Sequence, residues 1–167
     1  MTSLAAYVAA ASRLYIGLAL IVAVTGKAGA IGAFRIAVAE LTGFPPRAAA
    51  ILAPAVVAAE AAIVVAVVFA PRLGMSAAML LFAIFWMAIL VALVRRRRVA
   101  CNCFGGTARP ISPLDLLRNL ALIAACAAFL RWPAAPFEAR AWLLLLGVAL
   151  IALTISLHLD EIAAPGR

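Results

Sequence analysis

The residues best suited to chemistry in this 167-residue chain form one short run, Arg95-Arg96-Arg97-Arg98-Val99-Ala100-Cys101-Asn102-Cys103-Phe104-Gly105-Gly106-Thr107. In an extended strand, side chains one residue apart point to opposite faces, so Cys101 and Cys103 can close a disulfide only through a tight turn. Asn102 between them and Gly105-Gly106 after Phe104 suit such a turn. The resulting ring is small and strained, hence easily reduced, as an exchanging disulfide must be and a structural staple must not. Four guanidinium groups just upstream favour thiolate over thiol. The same arginines also serve as an orientation signal or a contact for anionic lipid. Metal ligation needs more donors than two thiolates, and no metal site is assigned. His158, Asp160 and Glu161 are the nearest further candidates.

A second set of chemically capable residues lies where the surrounding sequence is apolar. Arg13 and Glu60 interrupt two long apolar runs, and a lone charge inside a membrane costs at least about 2.5 kcal/mol. Both sit about 13 Å from the same end of antiparallel helices at 1.5 Å per residue, so the spacing predicts that they meet. They would act as a structural ion pair, or as a gate or proton relay. Gly17, one turn from Arg13, lets the backbones approach. Lys27, after Gly26, reads as a snorkelling anchor. Asp115, Arg118 and Asn119 open a helix close to the cysteine loop, where capping and interfacial anchoring account for them. Cys126, deep in an apolar run, reads as a small apolar filler.

Composition dictates what positions these residues. Of the chain, 69% is apolar and 12% is charged, with 14 Lys/Arg against 6 Asp/Glu and a formal net charge of +8. A soluble domain of this size is about half apolar and about a quarter charged, so lipid must be the solvent. Because roughly 20 apolar residues cross a bilayer, the length allows four or five spans with short loops. Charge-poor runs at 4–24, 49–69, 73–94, 114–130 and 141–158 predict an all-α, multi-pass transmembrane bundle of five helices, four being the alternative. The run at 114–130 is the shortest, but Ser112, Pro113 and Asp115 supply an N-cap, a first-turn proline and a capping-box acid. Pro71 and Gly74 mark one tight turn, and Pro133 and Pro136 another. The connection 26–48 has room for a short helix at 31–41, whose Ile31, Phe34, Val38 and Leu41 share a face, lying along the interface or tucked against the bundle. The reading is a single domain over 4–158 with short tails at 1–3 and 159–167.

Basic residues concentrate in the first connection (Lys27, Arg35, Arg47) and the third (Arg95 to Arg98 and Arg109). With five spans these connections share a side with residue 158, and the positive-inside rule puts that side in the cytoplasm and the N-terminus outside. The expectation is an uncleaved first span in the plasma (inner) membrane.

Three stretches resemble the MauE branch of the DoxX-like redox-associated membrane proteins. They are Arg13 to Lys27 with its Arg-x3-Gly start and Gly-Lys end followed by Phe34, then Glu60, and then the basic segment into Cys101-Asn102-Cys103-Phe104-Gly105 with Leu117-Arg118-Asn119 beyond it. The resemblance runs over about 4–130, and the CxCFG element followed by Arg-Asn is its most specific part. It implies a role in methylamine utilisation, with a thioredoxin-like partner and a disulfide-bearing client, the small subunit of methylamine dehydrogenase. That client lies outside the cytoplasm, whereas the arginine count puts the cysteines at the cytoplasmic face. Either electrons cross through a quinone or an alternating conformation, or the topology is inverted.

The expected function is therefore thiol-disulfide redox, with Cys101 and Cys103 exchanging and Arg95, Arg96, Arg97 and Arg98 tuning the thiolate. In the same reading Asn102, Phe104 and Gly105 shape the loop, Arg118 and Asn119 hold it against the bundle, and Arg13, Lys27 and Glu60 form an intramembrane polar frame. Alternatives are a metal-handling or small-solute membrane protein using Cys101, Cys103 and His158, and a non-catalytic assembly subunit. No nucleotide-binding loop, hydrolase triad or nucleic-acid module appears, and one histidine makes acid-base catalysis a poor central activity.

Overall fold

The structure, a computed structural model, describes residues 4–95, 100–101, 109–132 and 139–158, with backbone alone at 100–101, 109–110 and 139–140. It is all-α apart from one two-residue bridge. The helices are α1 (Leu4–Gly29), α2 (Ile31–Thr42), α3 (Pro46–Phe69), α4 (Pro71–Val94), α5 (Pro113–Arg131) and α6 (Ala139–Leu157). Between α4 and α5, β1 (Ala100–Cys101) pairs antiparallel with β2 (Arg109–Pro110).

The helix boundaries follow from residues that cannot continue a helix. Gly43 ends α2 in the left-handed conformation, φ 75°, where its N–H still reaches the Ala39 carbonyl at 2.8 Å. Pro46 and Pro71 each sit at a helix start, where the missing N–H costs nothing. At the start of α5 the Ser112 N–H donates to the Asp115 carboxylate at 2.9 Å, as Ser112-Pro113-Asp115 predicts.

By length and composition α1, α3, α4 and α5 can cross a membrane, which makes the chain a multi-pass membrane protein. The apolar stretch of α6 is shorter, Ala141–Leu157, but α6 and α5 are both 19 residues long, about 28 Å at 1.5 Å per residue. Arg118, near the start of α5, bonds to carbonyls at the end of α6, so the two helices run antiparallel and cover the same depth. The path is therefore down α1, up α3, down α4, up α5 and down α6. One end of the bundle carries the α3–α4 turn and the start of α1. The other, called here the loop end, carries α2, the β1–β2 hairpin and the end of α6.

α2 does not cross. It packs on α3 through a small separate core in which Phe34 and Val38 meet Ala49 and Ala53. The main core joins Ile16 and Leu20 of α1, Met75 and Phe82 of α4, Leu122, Cys126 and Phe129 of α5, and Leu153 of α6. In lipid there is no hydrophobic drive between helices, so close packing must hold them, and small residues permit it. Ala6, Ala9, Ala10, Ala19 and Ala23 supply the buried face of α1, while large residues such as Ile51, Val65, Leu80, Ile84, Leu143 and Leu144 point outward.

Candidate functional site

The polar side chains singled out in the sequence form two separate constellations with Arg13 apart from both, and the Arg13–Glu60 pair expected from their depths does not form. Glu60 instead makes a salt bridge to Lys27, and both side chains are almost wholly buried. Arg13 donates from Nε to the Val67 carbonyl at 3.0 Å and from Nη2 to the Val68 carbonyl at 2.9 Å.

Side-chain direction explains the exchange of partners. Every Cα–Cβ bond in a helix leans toward its own N-terminus. On antiparallel helices Lys27 of α1 therefore leans into the bundle while Glu60 of α3 leans toward the loop end, and the two converge. Arg13, also on α1, leans away from the loop end as Lys27 does, and so reaches the end of α3. There the Val67 carbonyl would ordinarily accept from the N–H of residue 71, but residue 71 is proline and has none. Arg13 supplies the missing donor.

The Lys27 ammonium also lies over two aromatic faces, 5.4 Å from the Phe34 ring centroid and 4.8 Å from that of Phe85. Lys27 is thus no snorkelling anchor but the centre of a buried cage to which α1, α2, α3 and α4 each contribute one side chain. Glu60 Oε2 has no hydrogen-bond partner among the described residues.

The second constellation stands at the loop end, where α5 begins. Arg118 donates from Nε to the Ser156 carbonyl at 2.6 Å, from Nη2 to the Leu157 carbonyl at 3.4 Å and from Nη1 to Asp115 Oδ1 at 3.2 Å. Asn119 Nδ2 donates to the Asp115 carbonyl at 2.9 Å. All three residues are buried. Arg118 accordingly clamps the uncapped carbonyls at the end of α6, a role the sequence reading did not assign to it.

The hairpin rises from this same end. Its register, Ala100 opposite Pro110 and Cys101 opposite Arg109, pairs the backbone of Cys101 with the segment that leads into α5, within the connection from α4 to α5. Arg95 is exposed at the end of α4. Arg96, Arg97, Arg98, Asn102, Cys103, Phe104 and Gly105 lie outside the described residues, as does the side chain of Cys101. Of the metal alternative only His158 is described, exposed beyond α6, and no group of three metal-capable side chains occurs among the described residues. Cys126 is a buried free thiol in the main core, as expected of a filler.

Close to Arg118 a groove of about 360 Å³ opens between α1, α5 and α6, lined by Tyr15, Leu117, Ala121, Ala152 and Ile155, with Arg118 and Ser156 at its polar edge. Neither this groove nor the aromatic cage was found from sequence. The i to i+7 spacing of Lys27 and Phe34 across a helix break is the one signal that pointed to the cage.

Residues 5–133 match the family model described as Methylamine utilisation protein MauE, a match that takes in the Lys27 cage, Asp115, Arg118, Asn119 and the hairpin and stops before α6, whose carbonyls Arg118 holds. No curated protein matches the chain. No solved structure matches it either.

Proposed function

The chain belongs to the MauE family, and from that premise we propose that it is a membrane thiol-disulfide redox protein that supports disulfide formation in, or maturation of, a partner protein in methylamine utilisation. The observation that supports the reading is where the chain carries Cys101: its backbone lies in the β1–β2 pairing, within the connection from α4 to α5, and the buried Asp115, Arg118 and Asn119 anchor the helix that follows.

In this reading the Cys101–Cys103 disulfide accepts a thiolate from the partner. The cysteine S–S bond breaks, a mixed disulfide forms, and the partner's second thiolate attacks it to release the partner oxidised. Two electrons pass to the CxC pair, and two protons accompany them as the pair becomes a dithiol. A quinone is an acceptor of the right class, since it takes up two electrons and two protons. The groove between α1, α5 and α6 has the apolar lining and size that a quinone tail requires. Arg95 to Arg98 lower the thiol pKa, the partner is a thioredoxin-like protein, and its client bears the disulfide.

The loop end faces the cytoplasm of the plasma membrane in this proposal. Lys27 is neutralised by Glu60 and drops out of the charge count, but Arg35, Arg47, Arg95 to Arg98 and Arg109 still outnumber Arg72, Arg131 and Arg140 at the other end.

The test is genetic and biochemical together. Cys101→Ser and Cys103→Ser each abolish disulfide formation in the client while the protein still inserts in the membrane. Full complementation of a deletion by the double variant would overturn the reading.

A further inference from the structure

The Lys27–Glu60 cage differs from an ion pair that merely staples two helices. A staple of this kind has both carboxylate oxygens occupied, because a buried unsatisfied acceptor costs about 1–3 kcal/mol. Here Glu60 is wholly buried, Oε1 meets Lys27, and Oε2 meets no donor among the described residues. The ammonium, in turn, does not depend on the carboxylate alone, since the faces of Phe34 and Phe85 hold it from α2 and α4. Glu60 can therefore be neutralised without leaving Lys27 a bare charge.

We infer that Glu60 is a proton-exchange site inside the bundle, taking up one proton on Oε2 while Lys27 remains an ammonium held by the two rings, and that α2 covers its route to the loop end. The step adds H⁺ to a carboxylate, and the charge of the cage rises from zero to plus one. Lys27 is the only titratable group facing Glu60 among the described residues. Arg35 and Glu40 of α2 are exposed, Arg72 of α4 lies at the far end, and Arg13 is engaged at the end of α3. α2 is suited to act as a cover: it does not cross the membrane, its own small core is separate from the main one, and it ends at the left-handed Gly43.

The test is infrared difference spectroscopy of the full chain in lipid nanodiscs while pH is stepped. The expected result is a protonated-carboxyl band that grows reversibly as pH falls, disappears in Glu60→Gln, changes frequency in Glu60→Asp and persists in Asp115→Asn, the other buried acid among the described residues. Phe34→Ala makes hydrogen–deuterium exchange of that band about tenfold faster. A wild-type protein with no such band at any pH at which it stays folded overturns the site, as does a band lost in Asp115→Asn and kept in Glu60→Gln. An exchange rate unchanged in Phe34→Ala overturns the covering role of α2. The wild-type measurement decides even where a variant fails to fold.

Discussion

At the scale of single residues, Lys27, Glu60, Arg13 and Arg118 each meet specific partners inside the bundle, and the partner sets the cost of removal. Lys27→Ala leaves the Glu60 carboxylate buried without a counter-charge and should destabilise by about 3–5 kcal/mol, while the double change Lys27→Met with Glu60→Leu should recover most of the loss. Glu60→Ala leaves the ammonium to the faces of Phe34 and Phe85 and should cost less than Lys27→Ala. Unfolding in graded denaturing detergent measures all three, and equal losses in single and double variants would show that the pair is not the source. Arg13→Ala removes donors from the Val67 and Val68 carbonyls and should cost about 1–3 kcal/mol in the same assay. The sequence made it plain that Arg13, Lys27 and Glu60 were misplaced in lipid, but not which of them would pair. Depth counted along the helix axis put Arg13 beside Glu60. The lean of each side chain toward its own N-terminus, together with the absent N–H of Pro71, decided otherwise.

At the scale of elements, the joints between helices carry the architecture. Gly74, in the first turn of α4, lies against the end of α3, where an added Cβ would lie 2.6 Å from Val67 Cα and would also strike the Val67 nitrogen. These are backbone atoms that cannot swing aside, so Gly74→Ala should force the α3–α4 turn apart, at a cost of at least about 1–3 kcal/mol in thermal unfolding. Arg118→Ala should release the end of α6 from α5, with about 1.5–3 kcal/mol lost for each charge-assisted bond removed. Limited proteolysis that cuts near the end of α6 faster in this variant than in the wild type would register the release. Helix positions were legible because prolines, Gly43 and the Ser112–Asp115 box mark the ends in local sequence. The seat of α2 was left between two choices, and the structure selects the tucked one, where Phe34 serves both the Ala49–Ala53 face of α3 and the Lys27 cage. Contacts between distant helices leave no such local mark, and for that reason the groove beside Arg118 went unread.

At the scale of the whole molecule, five helices alternating in direction along the chain bring the hairpin, the Arg118 clamp and the Lys27 cage to the loop end or just beneath it, with Arg13 at the opposite end. The backbone of Cys101 lies on the hairpin at the loop end, Arg118 and Asp115 anchor the start of α5, and Arg35, Arg47 and Arg95 are exposed at the same end. The opposite end has the tight α3–α4 turn and little charge. A bundle organised this way has one working face, and the redox account requires both cysteines to act at it. The most direct measurement is alkylation by a membrane-impermeant maleimide in sealed right-side-out and inverted vesicles, before and after reduction, with Cys126→Ala as the background so that only the pair is read. The account predicts no labelling of the oxidised protein, and after reduction labelling of Cys101 and Cys103 in inverted vesicles only. Cysteines that label equally with and without reductant contradict the exchanging disulfide, and labelling confined to right-side-out vesicles contradicts the orientation.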